Sequence, residues 1–256
     1  MVVRSVVLVV ALLRAEASDA PLASPPADVV RPVGRDAVVN WTQLRLEVET
    51  SATSTSSAQS MESLEQAAID RLGGALGAAL GLVPLAPDAR VQTLEGFEAE
   101  RAVSGWTITE TRYGPGERVT VVGAAALRPA LGAWSVSRAV VPPVKPPEGP
   151  TGVVVDARGL EVTPTWSPRI VDPAGEVLYD GVLLRSVAYD RVPATWVTSV
   201  VAPAASTAGL RPAVLLAGAV REGAIVLVAE DAARWRAEVA STAAAANGTL
   251  VVIVDR

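Results

Sequence analysis

The sequence predicts an α+β fold, a small helix-on-antiparallel-sheet domain followed by a second small mixed α/β domain. Three observations carry this expectation. The first half runs alternating strand, Ala- and Gly-rich helix and hairpin; a proline-rich run interrupts the middle; short β-branched runs separated by turn residues fill the second half. With 256 residues, 50% of them hydrophobic and 19% charged, the chain has material for one large core or two small ones, and two fit the pattern better. The expected divisions are 1–17 as signal peptide, 18–38 as a Pro/Ala-rich lead, 39–139 as the first domain, 140–150 as a linker and 151–256 as the second domain.

The start reads as an address. Arg4, an apolar run over 5–13 and the small-x-small triplet Ala15-Glu16-Ala17 have the layout of an export signal, although a buried N-terminal strand suits the same run. The run is too short to cross a bilayer, which takes about 20 apolar residues. Export to the periplasm is therefore expected, and because no Cys follows the cleavage site, no lipid anchor is expected.

In the first domain, Leu44, Leu46 and Val48 alternate with Gln43, Arg45 and Glu47, the period of a strand over 41–49 with one wet face. A Ser/Thr loop over 51–57 leads into a helix over 59–82 with Met61, Leu64, Ala68, Leu72, Ala75, Ala79 and Leu82 near one stripe, ended by Pro84 and Pro87. Gly73, Gly77 and Gly81 recur at every fourth position, which allows either a close contact between subunits or close seating of the helix on its own sheet. Membrane insertion is disfavoured by Asp70 and Arg71. A hairpin follows, with 106–111 and 118–125 as arms and 113–117 as the turn. The prolines of 141–150 then predict an extended, semi-rigid spacer.

In the second domain, 152–156 is a β-branched run, Pro164 and Pro168 flank an exposed turn, and Asp172-Pro173-Ala174-Gly175 turns a hairpin between 169–171 and 176–179. The stretch 189–210 has no firm period. Strands are expected at 213–220 and 224–228, then a helix over 231–246 stopped by Asn247-Gly248, and a buried closing strand over 250–254.

The chain has neither His nor Cys, which removes imidazole and thiolate zinc sites, Ser-His-Asp triads, cysteine nucleophiles and disulfides. No catalytic residue, cofactor or metal is expected. A formal net charge of -5 with scattered basic residues argues against nucleic acid as a partner. Asp156 with Arg158 suits either a catalytic acid and its partner or a pair fixing a strand end; Glu230-Asp231 suits a metal pair or the positive end of a helix dipole; 172–176 suits a calcium loop or a plain turn. A Ser-Lys dyad would have to recruit Lys145, the only lysine, from a solvated linker. The six tryptophans, Trp41, Trp106, Trp134, Trp166, Trp196 and Trp235, suit core or interface anchors, or stacking platforms for sugar rings.

The run GVVVDARGL at 152–160, the turn PTWSPRI at 164–170 and the hairpin DPAGEVLY at 172–179 resemble those of exported FlgP-like flagellar and outer-membrane-associated lipoproteins. The resemblance extends to an acidic helix start at Glu230-Asp231-Ala232, Asn247 near the helix end and closure on Val254-Asp255. Relatives in that family build outer-membrane-associated rings or disks around the flagellar motor. The resemblance therefore implies a non-enzymatic, self-assembling envelope component at the flagellar motor or outer membrane, partnered by copies of itself and by envelope or flagellar proteins. The expected interaction residues are Trp166, Gly73, Gly77, Gly81 and Trp41. A periplasmic glycan- or peptide-binding module using exposed tryptophans is the alternative, and a two-carboxylate hydrolase a third reading.

Overall fold

The computed structural model describes residues 27–55, 59–90, 105–129, 131, 149–181, 192–240 and 249–256. The signal-like start, Trp134, the proline-rich run through Lys145, and Asn247-Gly248 lie outside the described residues.

The first sheet has five strands in the order β1-β2-β3-β7-β6, every neighbour antiparallel. They are β1 (Val30–Pro32), β2 (Ala37–Asn40), β3 (Arg45–Thr53), β6 (Thr107–Gly114) and β7 (Arg118–Ala126). Alternation along β3 buries Leu46, Val48, Thr50 and Ala52 on one face. The strand expected from Trp41 instead begins at Arg45. Residues 41–44 make the β2–β3 turn, in which Gln43 N donates to Asn40 Oδ1 at 2.9 Å and Leu44 takes a φ of 55°. An Asx-type turn supplies the reversal that an alternation count reads as more strand. Likewise, the expected lead over 18–38 contains β1 and the start of β2, short strands stabilised by pairing, β2 with β3 and β1 with β2, rather than by their own composition.

One long helix, α1 (Met61–Gly81), lies on this sheet. Ser60 caps it, its hydroxyl accepting from Ser63 N at 3.2 Å, and Glu62 meets the positive end of the dipole. Leu64, Ala68, Leu72, Leu76, Ala79 and Leu80 are buried, while Met61 and Leu82, expected in the same stripe, are each more than one-third exposed. The buried row steps by four residues from 64 to 80, so the ends of the seven-residue stripe rotate off the sheet. The hydroxyl of Thr50 donates to the Ala68 carbonyl at 2.9 Å, tying β3 to the helix.

After α1, β4 (Pro84–Ala86) and β5 (Ala89–Arg90) form a two-stranded ribbon. The second sheet is mixed and seven-stranded, ordered β10-β9-β13-β12-β8-β14-β11. Its strands are β8 (Val153–Asp156), β9 (Arg169–Val171), β10 (Val177–Asp180), β11 (Thr195–Val197), β12 (Ala213–Arg221), β13 (Ala224–Leu227) and β14 (Leu250–Ile253). β8 lies between β12 and β14, parallel to both. The β9–β10 hairpin falls where its turn residues predicted it, and β12 and β13, close to the two strands expected at 213–220 and 224–228, pair with each other as a hairpin. In the aperiodic stretch, the structure places β11 and a 3-10 helix, Pro203–Ala208, which buries Ala205 and Ala208 over Val154, Val251 and Ile253. A second α-helix among the described residues, α2 (Ala229–Arg234), passes directly into a π-helical turn, Trp235–Val239.

The halves meet through hydrogen bonds as well as packing. Trp166 N and Ser167 N donate to the carbonyls of Pro84 and Leu85 at 3.0 and 2.6 Å, so the turn between Pro164 and Pro168 docks on β4. Thr42 Oγ1 donates to the Trp196 carbonyl at 2.9 Å, and Arg31 Nη2 reaches the Asp255 carbonyl at 2.8 Å. One hydrophobic cluster includes Trp41, Leu46 and Leu72 from the first half and Val153, Trp196 and Trp235 from the second.

Candidate functional site

Asp156 ends the central parallel strand of the second sheet, the end at which open α/β sheets usually place ligands. Its carboxylate is already engaged. It accepts from Arg158 N at 3.2 Å, Arg158 Nε at 2.9 Å and Arg158 Nη2 at 2.5 Å, and this guanidinium holds its pKa below the ordinary carboxylate value. The adjoining Gly159 N donates to Asp255 Oδ2 at 2.7 Å. The DARG turn is thus closed by its own charges and tied to the chain after β14.

The two acidic turns expected as possible cation sites are arranged in the same way. Asp172 N donates to the Glu176 carbonyl at 2.9 Å and Glu176 N to Asp172 Oδ1 at 2.8 Å, while Arg236 Nη2 sits 2.6 Å from Asp172 Oδ2 and 2.7 Å from Glu176 Oε2. A guanidinium stands where a calcium loop would hold its ion, and it lowers the pKa of Asp172. Asp231 accepts from Leu216 N at 2.8 Å and from Arg234 Nη1 at 2.9 Å, and Arg234 Nη1 also reaches the Val214 carbonyl at 3.2 Å. This pair covers the part of β12 that lies beyond its pairing with β13. Among the described residues, no three His, Cys, Asp or Glu gather as metal ligands.

Trp41, Trp166, Trp196 and Trp235 are each at most 2% exposed, so none presents a face for stacking. Trp196 Nε1 donates to the Thr165 carbonyl at 2.9 Å, and Trp235 stands edge-to-face with Tyr179 at 6.0 Å. Trp166, expected in an exposed turn, is buried because that turn docks on β4. Of the helix glycines, Gly77 and Gly81 are buried within the chain and Gly73 is half-buried, where an added Cβ would lie 3.8 Å from Trp106 Nε1. The five expected interaction residues do not come together on an exposed surface.

Among the described residues, one sheet edge is exposed along its length. β6 pairs with β7 on one side and is the outermost strand of its sheet on the other. None of its eight residues is buried. Ile108, Thr111 and Tyr113 stand opposite Gly123, Val121 and Val119, on the α1 side; Glu110 and Arg112 stand opposite Val122 and Thr120, on the solvent side. α1 packs on β3 and β7, and it meets β6 through the Tyr113 hydroxyl, which donates to Glu65 Oε2 at 2.8 Å. That hydrogen bond raises the tyrosine pKa. Arg112 is held 2.5 Å from Glu49 Oε2 across β7 and 3.4 Å from Glu110 Oε1. An open groove of about 320 Å³ lies on the solvent face beside the start of β6, between Thr107, Thr109, Arg45 and Ala125. By contrast, the opposite edge is short, carries Pro32 and is bound to the second half through Arg31. The sequence carried a sign of the open edge: TITETRYG lacks the apolar alternation that a strand buried on one face requires.

Residues 152–256 match the family model for the second domain of Tp0624 from Treponema pallidum. The matched segment holds all seven strands of the second sheet and none of the first. No curated protein matches the chain.

Proposed function

We propose that this chain is a non-enzymatic, exported structural protein of the cell envelope that self-associates through the open edge of its first sheet. The observation that carries the reading is β6: eight residues, none of them buried, with no strand paired on their outer side among the described residues. An antiparallel edge of this length offers unpaired N–H and C=O groups that another strand can satisfy. The carboxylates at the strand ends and turns of the second sheet are already bound by Arg158, Arg234 and Arg236. They serve the fold rather than a substrate. The signal-like start supports the envelope setting, and the FlgP-like resemblance of 152–179 is what points to the flagellar motor or outer membrane. The partners in this reading are further copies of the chain and envelope or flagellar proteins.

Light scattering behind size-exclusion chromatography of the full chain tests it. A mass that rises above the 26.3 kDa monomer with concentration is expected, and a strict monomer at the highest attainable concentration overturns the reading.

A further inference from the structure

The charges along β6 distinguish the ways in which a second copy could pair with it. From Glu110 to Gly114 the strand pairs with β7 without interruption, and a register shift falls between Ile108 and Glu110. Such bulges bend an edge and limit what can pair with it, which confines the usable edge to the segment from Glu110 onward. Two identical edges joined antiparallel around a two-fold axis can centre on any residue from Glu110 to Tyr113; centred on Tyr113, Arg112 faces Gly114 and neither charge gains a partner.

Centred on Glu110, the axis sets that carboxylate against its own copy. Centred on Arg112, it opposes two guanidiniums. Centred on Thr111, it sets each Glu110 opposite the Arg112 of the second copy, so that both cross-strand pairs are attractive. Each of these registers matches outward-facing backbone groups with outward-facing ones and keeps both helices on the same face. The Arg112 centre pairs the most residues, from Glu110 to Gly114, but opposes like charges, and the Thr111 centre alone pairs opposite charges.

We infer that β6 pairs with β6 of a second copy, antiparallel and centred on Thr111, making one ten-stranded sheet with reciprocal Glu110–Arg112 pairs. The inference rests on the self-association proposed above and adds its register. Glu110 and Arg112 are each about half exposed, with room to reach outward, and Arg112 keeps Glu49 on its inner side. An isologous contact of this kind closes on itself, so this edge makes a dimer rather than a filament. Any larger assembly would use a second surface.

The native chain has no Cys, which makes the test clean. In the inferred register two Thr111 residues lie directly opposite each other, with Cα atoms about 4.5–5.5 Å apart, within disulfide range. Full-length Thr111→Cys is therefore expected to form a covalent dimer under mild oxidation. Glu110→Arg and Arg112→Glu, each alone, oppose like charges in both pairs and should weaken dimerisation by about tenfold or more. Mixed together, they restore both attractive pairs and should dimerise with each other, and with Thr111→Cys in each background cross-linking should appear in the mixture alone. Circular dichroism of each variant checks that it is folded. If the native chain self-associates but Thr111→Cys does not cross-link, or the mixture behaves as its components do, the register is overturned and the assembly reading stands. If the native chain is monomeric throughout, both fall.

Discussion

Leu72 of α1 occupies the space that a side chain at Gly123 would need: a Cβ built on this β7 glycine would lie 2.3 Å from Leu72 Cδ2 and 2.7 Å from Cγ. The helix seats closely on its sheet because the strand, at the point of contact, has no side chain. Leu72 is fully buried and has nowhere to rotate. Gly123→Ala is therefore expected to destabilise the protein by about 1–3 kcal/mol, measured by urea unfolding. An unchanged midpoint would mean that the helix can slide to make room.

A harder contact holds the 3-10 helix of the second half. A Cβ at Gly152 would lie 2.4 Å from the Ala208 carbonyl oxygen and 2.6 Å from its Cα, both backbone atoms. Backbone cannot change rotamer, so Gly152→Ala should cost at least the upper part of the overpacking range, about 3 kcal/mol, and more than Gly123→Ala. Thermal unfolding of the two variants side by side gives the order.

Trp166 supports the joint between the halves, since its own N–H and that of Ser167 bond to the β4 carbonyls while its ring is buried. Trp166→Ala should cost about 3–5 kcal/mol. Because four of the tryptophans are buried, their fluorescence should resist acrylamide quenching in the folded protein and gain quenching on unfolding.

Acid should weaken the fold through Asp172 and Asp156. The hydrogen bonds from Arg236 and Arg158 depress these carboxyl pKa values in the folded chain. Their contribution is thus present above the unfolded aspartate value of about 3.9 and is lost as pH falls through the folded values. Urea midpoints measured from pH 6 down to pH 3 should fall in the native chain and fall less steeply in Asp172→Asn.

Tyr179 sets an opposite limit. Its hydroxyl donates to the Pro193 carbonyl and is buried, and burial raises its pKa. A raised folded value means that its contribution is present below the unfolded value of about 10 and is lost as pH rises beyond it. Tyr179→Phe should lose about 0.5–1.5 kcal/mol at pH 7 and show a smaller alkaline loss above pH 10. Spectrophotometric titration of the phenolate follows the same group directly.

Much of this fold is legible along the chain because it is encoded locally. The stripe of α1, the Asp172-Pro173-Ala174-Gly175 hairpin turn, the β6–β7 hairpin and the β-branched run of β8 each follow from residues within a few positions of one another. The α+β class follows from their order. Elsewhere distant partners decide: β2 is a strand because β3 pairs with it and β1 because β2 does, and Trp166 is buried because a turn from the second half meets β4 from the first.

The candidate site divides in the same way. Composition alone removed imidazole and thiol chemistry, and spacing alone marked Asp156 with Arg158 as partners. Arg236 lies 64 residues from Asp172 and reaches it because folding brings α2's π-helical extension beside the β9–β10 turn, which no local pattern encodes. The glycines at every fourth position suggested close approach on the helix; that Gly123 on the opposing strand gives Leu72 its room carries no mark in the local sequence. Periodicity reports which face of an element is apolar. Which edge stays open, and which side chain fills which gap, depends on neighbours far away in sequence, and only the assembled structure sets them.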